Sequence, residues 1–301
     1  MAGASLVSAL IVNFLIGAIK LVVFAITGSA SMLAESYHSF ADTFNQILLF
    51  VGIRRSKRKP DPTHPFGYAK EQFFWAFMVA ILIFGISGTL AFKEGWEILK
   101  HPDSHTIDNS KFFWNLIVLG IAIILEGFAL KTAYGEAKEY QKKYKASTLK
   151  EAIDEMQDPV LMSLLVEDSL ALIGLVVAFI GVSITNATHN PLIDAYTSMA
   201  IGVILMFGGL LLARENKVYL VGRAVSSSIQ SKIKTVVNNE KSIKKVISMK
   251  TLLLGVNNLI VALDIEFNEK VDEAEAIDII EKNIIKEVPN LTPSRIFIEA
   301  Q

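Results

Sequence analysis

Six apolar segments, at about 4–27, 31–53, 72–93, 112–133, 159–184 and 191–213, each reach the length of about 20 residues that a helix needs to cross a bilayer. Inside hydrocarbon every backbone polar group must be satisfied within the protein, so such a chain can fold only around spanning helices. The pattern predicts a polytopic α-helical membrane protein with six transmembrane helices. Hydrophobic residues make up 52% of the chain and the mean hydropathy is +0.44. That average is too apolar for an ordinary soluble protein and too polar for a purely membrane one, so a soluble part is expected as well. The apolar start at residue 4 is longer than the h-region of a signal peptide and reads as the first span, with no separate cleavable signal.

Punctuation supports the segmentation. Gly28-Ser29-Ala30 forms a tight turn between the first two spans, Asp158-Pro159 reads as cap plus first-turn proline, and Pro191 opens the last span. Basic residues set the orientation. They cluster after span 2 (Arg54, Arg55, Lys57, Arg58, Lys59), after span 4 (Lys138, Lys142, Lys143, Lys145, Lys150) and after span 6 (Arg214, Lys217, Arg223). These segments are expected on the cytoplasmic side, with both termini. The loop carrying His101, Asp103 and His105 is expected outside; these histidines and His189 read as solvated loop residues.

Beyond about residue 219 the periodicity changes. A helix over 225–238, strands over 243–254 and 258–267 around an Asn257-Asn258 turn, an amphipathic helix over 271–288 and a strand over 295–300 are expected. Leu259, Val261, Leu263, Ile265 and Phe267 alternate with period two, and Ile277, Ile280, Ile284 and Val288 form a helical stripe. The α-β-β-α-β order predicts a small C-terminal α+β, ferredoxin-like cytoplasmic domain over 216–301, following a six-helix transport domain over 1–215. Its acidic and basic residues balance, which suits packing or dimerisation. The whole-chain formal charge of −1 argues against nucleic acid as a partner, and the absence of cysteine excludes disulfides, thiolate metal sites and cysteine nucleophiles.

The second span is the odd one, because Glu35, His38 and Asp42 fall on one helical face within it. Ionisable groups in a bilayer are costly and mark pathways or sites. His and carboxylate at i, i+4 are also good geometry for two ligands of one divalent metal. Entering from outside near Ser31, Asp42 lies 11 residues in (42 − 31), about 16 Å at the helical rise. Entering from the cytoplasm near Asp158, Asp168 lies 10 residues in (168 − 158), about 15 Å. In a core about 30 Å thick both carboxylates reach the midplane. His38, Asp42 and Asp168, with Glu167 beside the last, therefore read as a metal site open to one side at a time. Glu35 reads either as an outer-side carboxylate guiding cation or proton, or as the partner of Lys20, whose depth matches His38; Asn13 lies one heptad before Lys20. Glu126 reads equally as a buried hydrogen-bonded group or a proton relay.

His38-Ser-Phe-Ala-Asp42, the His64-Pro-Phe-Gly-Tyr-Ala-Lys70 run, the six-span layout and the αββαβ tail together resemble the cation diffusion facilitator family over nearly the whole chain. The wording of residues 34–43 and the Glu167-Asp168 pair are most similar to its zinc-transporter branch with mitochondrial members and bacterial relatives. The resemblance implies four metal ligands, two each from spans 2 and 5 at i, i+4. His38 and Asp42 match the first pair and Asp168 the last ligand, but Leu164 stands where the remaining one belongs. Glu167 is then the expected fourth ligand or proton-coupling carboxylate. Asp61 and His64 match part of a second, cytoplasmic metal site that is incomplete because Tyr68 stands in place of a further histidine; the run reads chiefly as a structural turn. Lys70 lacks the acidic partner that the family places near Gly222.

The resemblance implies a divalent cation/proton antiporter exporting zinc from the cytoplasm, homodimeric, with the metal as substrate and no cofactor. Histidine must be neutral to bind metal, and its ordinary pKa of about 6.5 lets it take a proton once the metal leaves. Manganese, cobalt or iron is the alternative cargo, and a non-transporting metal-sensing scaffold the alternative role. No HExxH or Ser/Lys arrangement appears, so no enzyme activity is expected. The membrane would be the inner membrane of a bacterium or an organellar one.

Overall fold

The computed structural model describes residues 2–101, 112–144, 146–256, 258–269, 271–288 and 295–301. Asp103, His105 and Asn257 lie outside them. Two compact units form: one from residues 1–54, 74–136 and 160–216, the other from 55–73, 137–159 and 217–301.

The first unit is built from α1 (Ala2–Thr27), α2 (Ala30–Ser56), α3 (Glu71–Leu82), a π-helical turn (Ile83–Gly88), α4 (Thr89–Lys100), α5 (Phe112–Tyr144), α7 (Pro159–Thr188) and α8 (Pro191–Val221), with α6 (Leu149–Met156) lying between α5 and α7 in the chain. Among the described residues, four helical segments are long and apolar enough to cross a membrane: Glu71–Lys100, Phe113–Lys142, Pro159–Thr188 and Pro191–Val221. The chain is an integral membrane protein. Both expected prolines open their helices. Several helices outrun their apolar segments: α5 continues to Tyr144 and α8 to Val221. The span-3 segment is a continuous Glu71–Lys100 helix whose middle turn is π, a local widening of the hydrogen-bond ladder.

The interior of this unit combines an apolar cluster with buried polar groups that are densest along α2. Leu49, Val79, Leu119, Leu175, Ile201 and Leu205 belong to its buried cluster. Phe14, Phe44, Phe128 and Phe207 are exposed, the arrangement expected where lipid is the solvent. α2 instead buries Ser31, Glu35, Ser36, His38, Ser39, Asp42, Thr43, Asn45 and Gln46.

One contact fixes where α2 begins. Gly28, at φ 72°, turns the chain out of α1. The carboxylate of Asp194 on α8 then accepts hydrogen bonds from Ala30 N at 2.6 Å, Ser31 N at 3.3 Å, Ser29 Oγ at 3.2 Å and the Ser31 hydroxyl. It caps α2 from another helix, meeting backbone donors that the first turn cannot satisfy itself. Asp194→Ala should destabilise the protein by about 3 kcal/mol, because buried hydrogen bonds to a charged acceptor are lost together. Asp194→Asn, which keeps one acceptor oxygen, should cost less. Thermal unfolding of the purified protein in lipid nanodiscs measures both.

The second unit contains α9 (Ser227–Asn239), β1 (Ile243–Gly255), β2 (Asn258–Phe267), α10 (Glu273–Glu287) and β3 (Ile296–Ala300). Its sheet has the order β1-β2-β3, with β1 and β2 antiparallel and β2 and β3 parallel. Leu259, Val261, Leu263, Ile265 and Phe267 of β2 are all buried, packed with Ile233 and Val237 of α9 and Ile280 and Ile284 of α10. On α10 the expected stripe holds at Ile280, Ile284 and the C-cap Val288, which are buried, while Ala276 is buried beside it and Ile277 only partly. Ser226 and Asp272 cap α9 and α10 with their side chains. α6 was not expected. Thr148 caps it through Glu151 N at 3.1 Å, while the Glu151 carboxylate accepts from Ser147 N at 2.7 Å. It ends at Gln157, in the left-handed conformation, whose amide donates to Ala224 O at 3.0 Å.

Candidate metal site on α2 and α7

Because His38 and Asp42 are one helical turn apart, α2 stacks them on its buried face, with His38 Nδ1 3.5 Å from Asp42 Oδ1. The same face continues at i+3 from Asp42 to Asn45, which is fully buried. From α7, Glu167 reaches this row. Its Oε1 accepts from Asn45 Nδ2 at 3.0 Å, and its carboxyl lies beside that of Asp42. His38, Asp42, Glu167 and Asn45 thus form one chain of contacts across the two helices.

That chain is chemically unfinished. Both ring nitrogens of His38, Asp42 Oδ1, Asn45 Oδ1 and Glu167 Oε2 are buried without a hydrogen-bond partner. Buried polar atoms in folded proteins are nearly always paired, and each orphan costs about 1–3 kcal/mol. A cluster of orphaned acceptors with one imidazole is what a divalent cation would complete. Among the described residues, however, no three His, Cys, Asp or Glu side chains already converge as a metal cage. The groups are adjacent but not closed around one point.

Asp168 sits apart from this row. It is half-buried, and its carboxyl acts electrostatically on Glu167 and feels the buried Glu126 of α5. Leu164, four residues earlier, packs against the apolar core. Lys20 of α1 is buried and its ammonium lies 3.1 Å from Glu35 Oε2 and 2.9 Å from Ser39 Oγ. Of the two sequence readings of Glu35, the structure contains the Lys20 pair.

In the second unit, Asp61 and His64 make a tight turn with paired backbone bonds. Asp61 Oδ1 accepts from Thr63 N at 3.0 Å, Thr63 Oγ1 at 2.6 Å and His64 N at 2.9 Å, and Tyr68 Oη donates to Oδ2 at 2.5 Å. These bonds from Thr63 first, then Tyr68, hold the carboxyl below the ordinary carboxylate range. The His64 ring lies 4.1 Å from the Tyr68 ring centroid to centroid. Lys70 Nζ donates to Leu220 O at 3.5 Å. His101 and His189 are exposed.

Sequence reasoning missed Asn45 and Asp194. Asn45 was within reach, since the positions 38, 42 and 45 follow one helical face; Asp194 had no such signal.

The family model for the cation efflux transmembrane domain matches residues 6–221. The chain is similar to the proton-coupled zinc antiporter SLC30A9, mitochondrial, of Xenopus laevis, 28% identical over 269 residues, covering 89% of this chain and 47% of that protein. The human protein of the same name is 28% identical over 269 residues, 89% of this chain and 46% of its own length. Metal tolerance protein C4 of Arabidopsis thaliana is 28% identical over 265 residues, 87% of this chain and 56% of that protein. The chain spans about half the length of these curated relatives.

Proposed function

The chain belongs to the cation efflux family, the cation diffusion facilitators, and we propose that it is a divalent metal cation/proton antiporter that exports zinc from the cytoplasm. The observation that carries the proposal is the unfinished row of His38, Asp42, Glu167 and Asn45. Its side chains are buried and adjacent, and both ring nitrogens of His38, Asp42 Oδ1, Asn45 Oδ1 and Glu167 Oε2 are left unpartnered. In this reading His38, Asp42 and Glu167 are ligands and Asp168 joins them when the helices close around the ion. Metal arriving would displace protons from the site; protons returning would displace the metal. The similarity to a proton-coupled zinc antiporter supports the same cargo and coupling. A carboxylate-rich donor set also suits manganese or iron better than an all-imidazole one would, which keeps those metals, and cobalt, as the alternative cargo.

The proposed architecture has six spans, with α1 and α2 added to the four most apolar segments. The strongly polar α2 crosses because its polar face is buried among the others. Both termini face the cytoplasm, by the basic bias of the flanking segments. The C-terminal α-β-β-α-β module is a ferredoxin-like dimerisation unit of a homodimer. The Asp61–His64 turn serves as a brace, since its carboxylate oxygens are already engaged.

Zinc uptake into proteoliposomes under an imposed pH gradient tests this. Wild type should accumulate zinc and move protons in the opposite direction, and His38→Ala and Asp168→Ala should not. Equal uptake by all three would reject the site, and zinc movement without proton flux would reject antiport.

A further inference from the structure

Lys20 is, among the described residues, the only buried lysine or arginine. Burying an ammonium in a membrane span is costly even when paired, and a buried ion pair is often no more stabilising than an apolar pair of the same volume. Stability alone therefore gives little reason for it. Its surroundings do. The ammonium lies at the level of His38, held by Glu35 Oε2 at 3.1 Å and by the hydroxyl of Ser39 at 2.9 Å, the residue next to His38. α1 and α2 approach closely enough here for Ser36 Oγ to donate to Gly17 O at 3.2 Å. The Lys20 charge acts on His38, Asp42 and Glu126.

Glu35 is held between helices in turn. Its Oε1 is buried without a partner and sits against α7, where a side-chain carbon added at Gly174 would come 2.9 Å from it. The pathway residues Glu35, Asp42, Glu126, Glu167 and Asp168 are all acidic, and Lys20 is the fixed positive charge among them.

We propose that Lys20 is a tethered internal cation that sets the affinity of the α2–α7 metal site, with Glu35 as its counter-ion rather than as a metal ligand. The proposal rests on the reading of that site as metal-binding. A unit positive charge near a bound divalent ion opposes it, and a unit negative charge beside that ammonium cancels the opposition. Lys20 lowers the affinity and Glu35 raises it, so either charge alone would leave the site too weak or too tight, and the pair holds it between.

The test is zinc binding measured by isothermal titration calorimetry on the full chain in lipid nanodiscs at one neutral pH. Lys20→Met should tighten zinc binding by about tenfold or more, and Glu35→Gln should weaken it by about tenfold, as expected for one charge acting on a divalent ion through a partly screened interior. The double variant Lys20→Met/Glu35→Gln should return to within about threefold of wild type, because both charges are gone. Lys20→Arg, which keeps the charge, should bind as wild type does. In uptake assays Lys20→Met should lower KM and kcat together, the mark of metal held too tightly.

A purely structural pair predicts that neither single variant binds tighter, and that result overturns the proposal. If Glu35 is itself a ligand, the double variant stays as weak as Glu35→Gln, which also overturns it. If Lys20→Met does not fold, the comparison of Glu35→Gln with the double variant still decides. Failure of the underlying site reading looks different: wild type binds no zinc, or Asp42→Asn binds as wild type does.

Discussion

Asp42→Asn should abolish metal exchange while leaving the protein folded. Asp42 is the middle of the site, 3.5 Å from His38 and beside Glu167. Asparagine keeps the volume and one acceptor oxygen, and its amide can donate to Glu167, so the row of contacts survives. The charge that attracts a divalent cation does not. Changes to outer partners of metal ligands already cost about 10–100-fold in affinity or activity, so loss of a central carboxylate should lower zinc uptake by at least about 100-fold. The thermal midpoint should hold or rise, since Asp42 Oδ1 is buried without a partner and a charge there is costly to the empty protein. Function and stability thus move in opposite directions, as expected where an unfinished polar cluster is kept for binding. Uptake and thermal unfolding of the same preparation measure the two. Wild-type uptake by Asp42→Asn would remove it from the site.

The face shared by His38 and Asp42 was legible because a helical turn alone fixes it. Which of Glu167 and Asp168 meets α2 was not, because adjacent residues differ by about 100° around a helix. The rotation of α7 that decides between them is set by packing along its whole length, including Leu164 and Leu175 in the apolar core. Asn45 escaped notice because a neutral amide in a span carries no charge signal, although its position continues the His38–Asp42 face. The alternation in β2 identified its buried face completely, since a strand has only two faces. The extra length of α5 and α8 was invisible for a different reason. Apolar composition marks where lipid ends, while backbone hydrogen bonding continues as long as the sequence tolerates it. α6 was legible but short: Leu149, Ala152, Ile153 and Met156 recur at i, i+3, i+4, i+7 after a Thr148-x-x-Glu151 capping pattern, yet eight residues fall below the length at which such a stripe is read as a helix.

Small residues were the other illegible feature, and they yield the second large effect. α4 and α8 meet nearly backbone to backbone. A Cβ added at Gly202 would lie 2.6 Å from Phe92 N and 2.7 Å from Gly88 O, and one at Gly95 would lie 2.7 Å from Met199 Cγ and 3.0 Å from Met199 N. Between these points Ser198 Oγ donates to Ala91 O at 2.7 Å. Ala91 and Gly95 on one helix, and Ser198 and Gly202 on the other, are each spaced i, i+4, the pattern that lets membrane helices approach closely. A glycine in an apolar span does not announce its partner, so only the structure locates the contact. Gly202→Val should force the helices apart at a point where backbone, not a flexible side-chain end, is in the way. The expected cost is about 3 kcal/mol or more, with loss of the Ser198 bond as well. Gly120→Ala on α5 provides the opposite case, because nothing lies within 4 Å of the added carbon. There the better helix propensity of alanine should leave stability unchanged or raise it by up to about 1 kcal/mol. Thermal unfolding in nanodiscs compares the two directly. Equal midpoints for Gly202→Val and wild type would show that α4 and α8 are not held in this close contact.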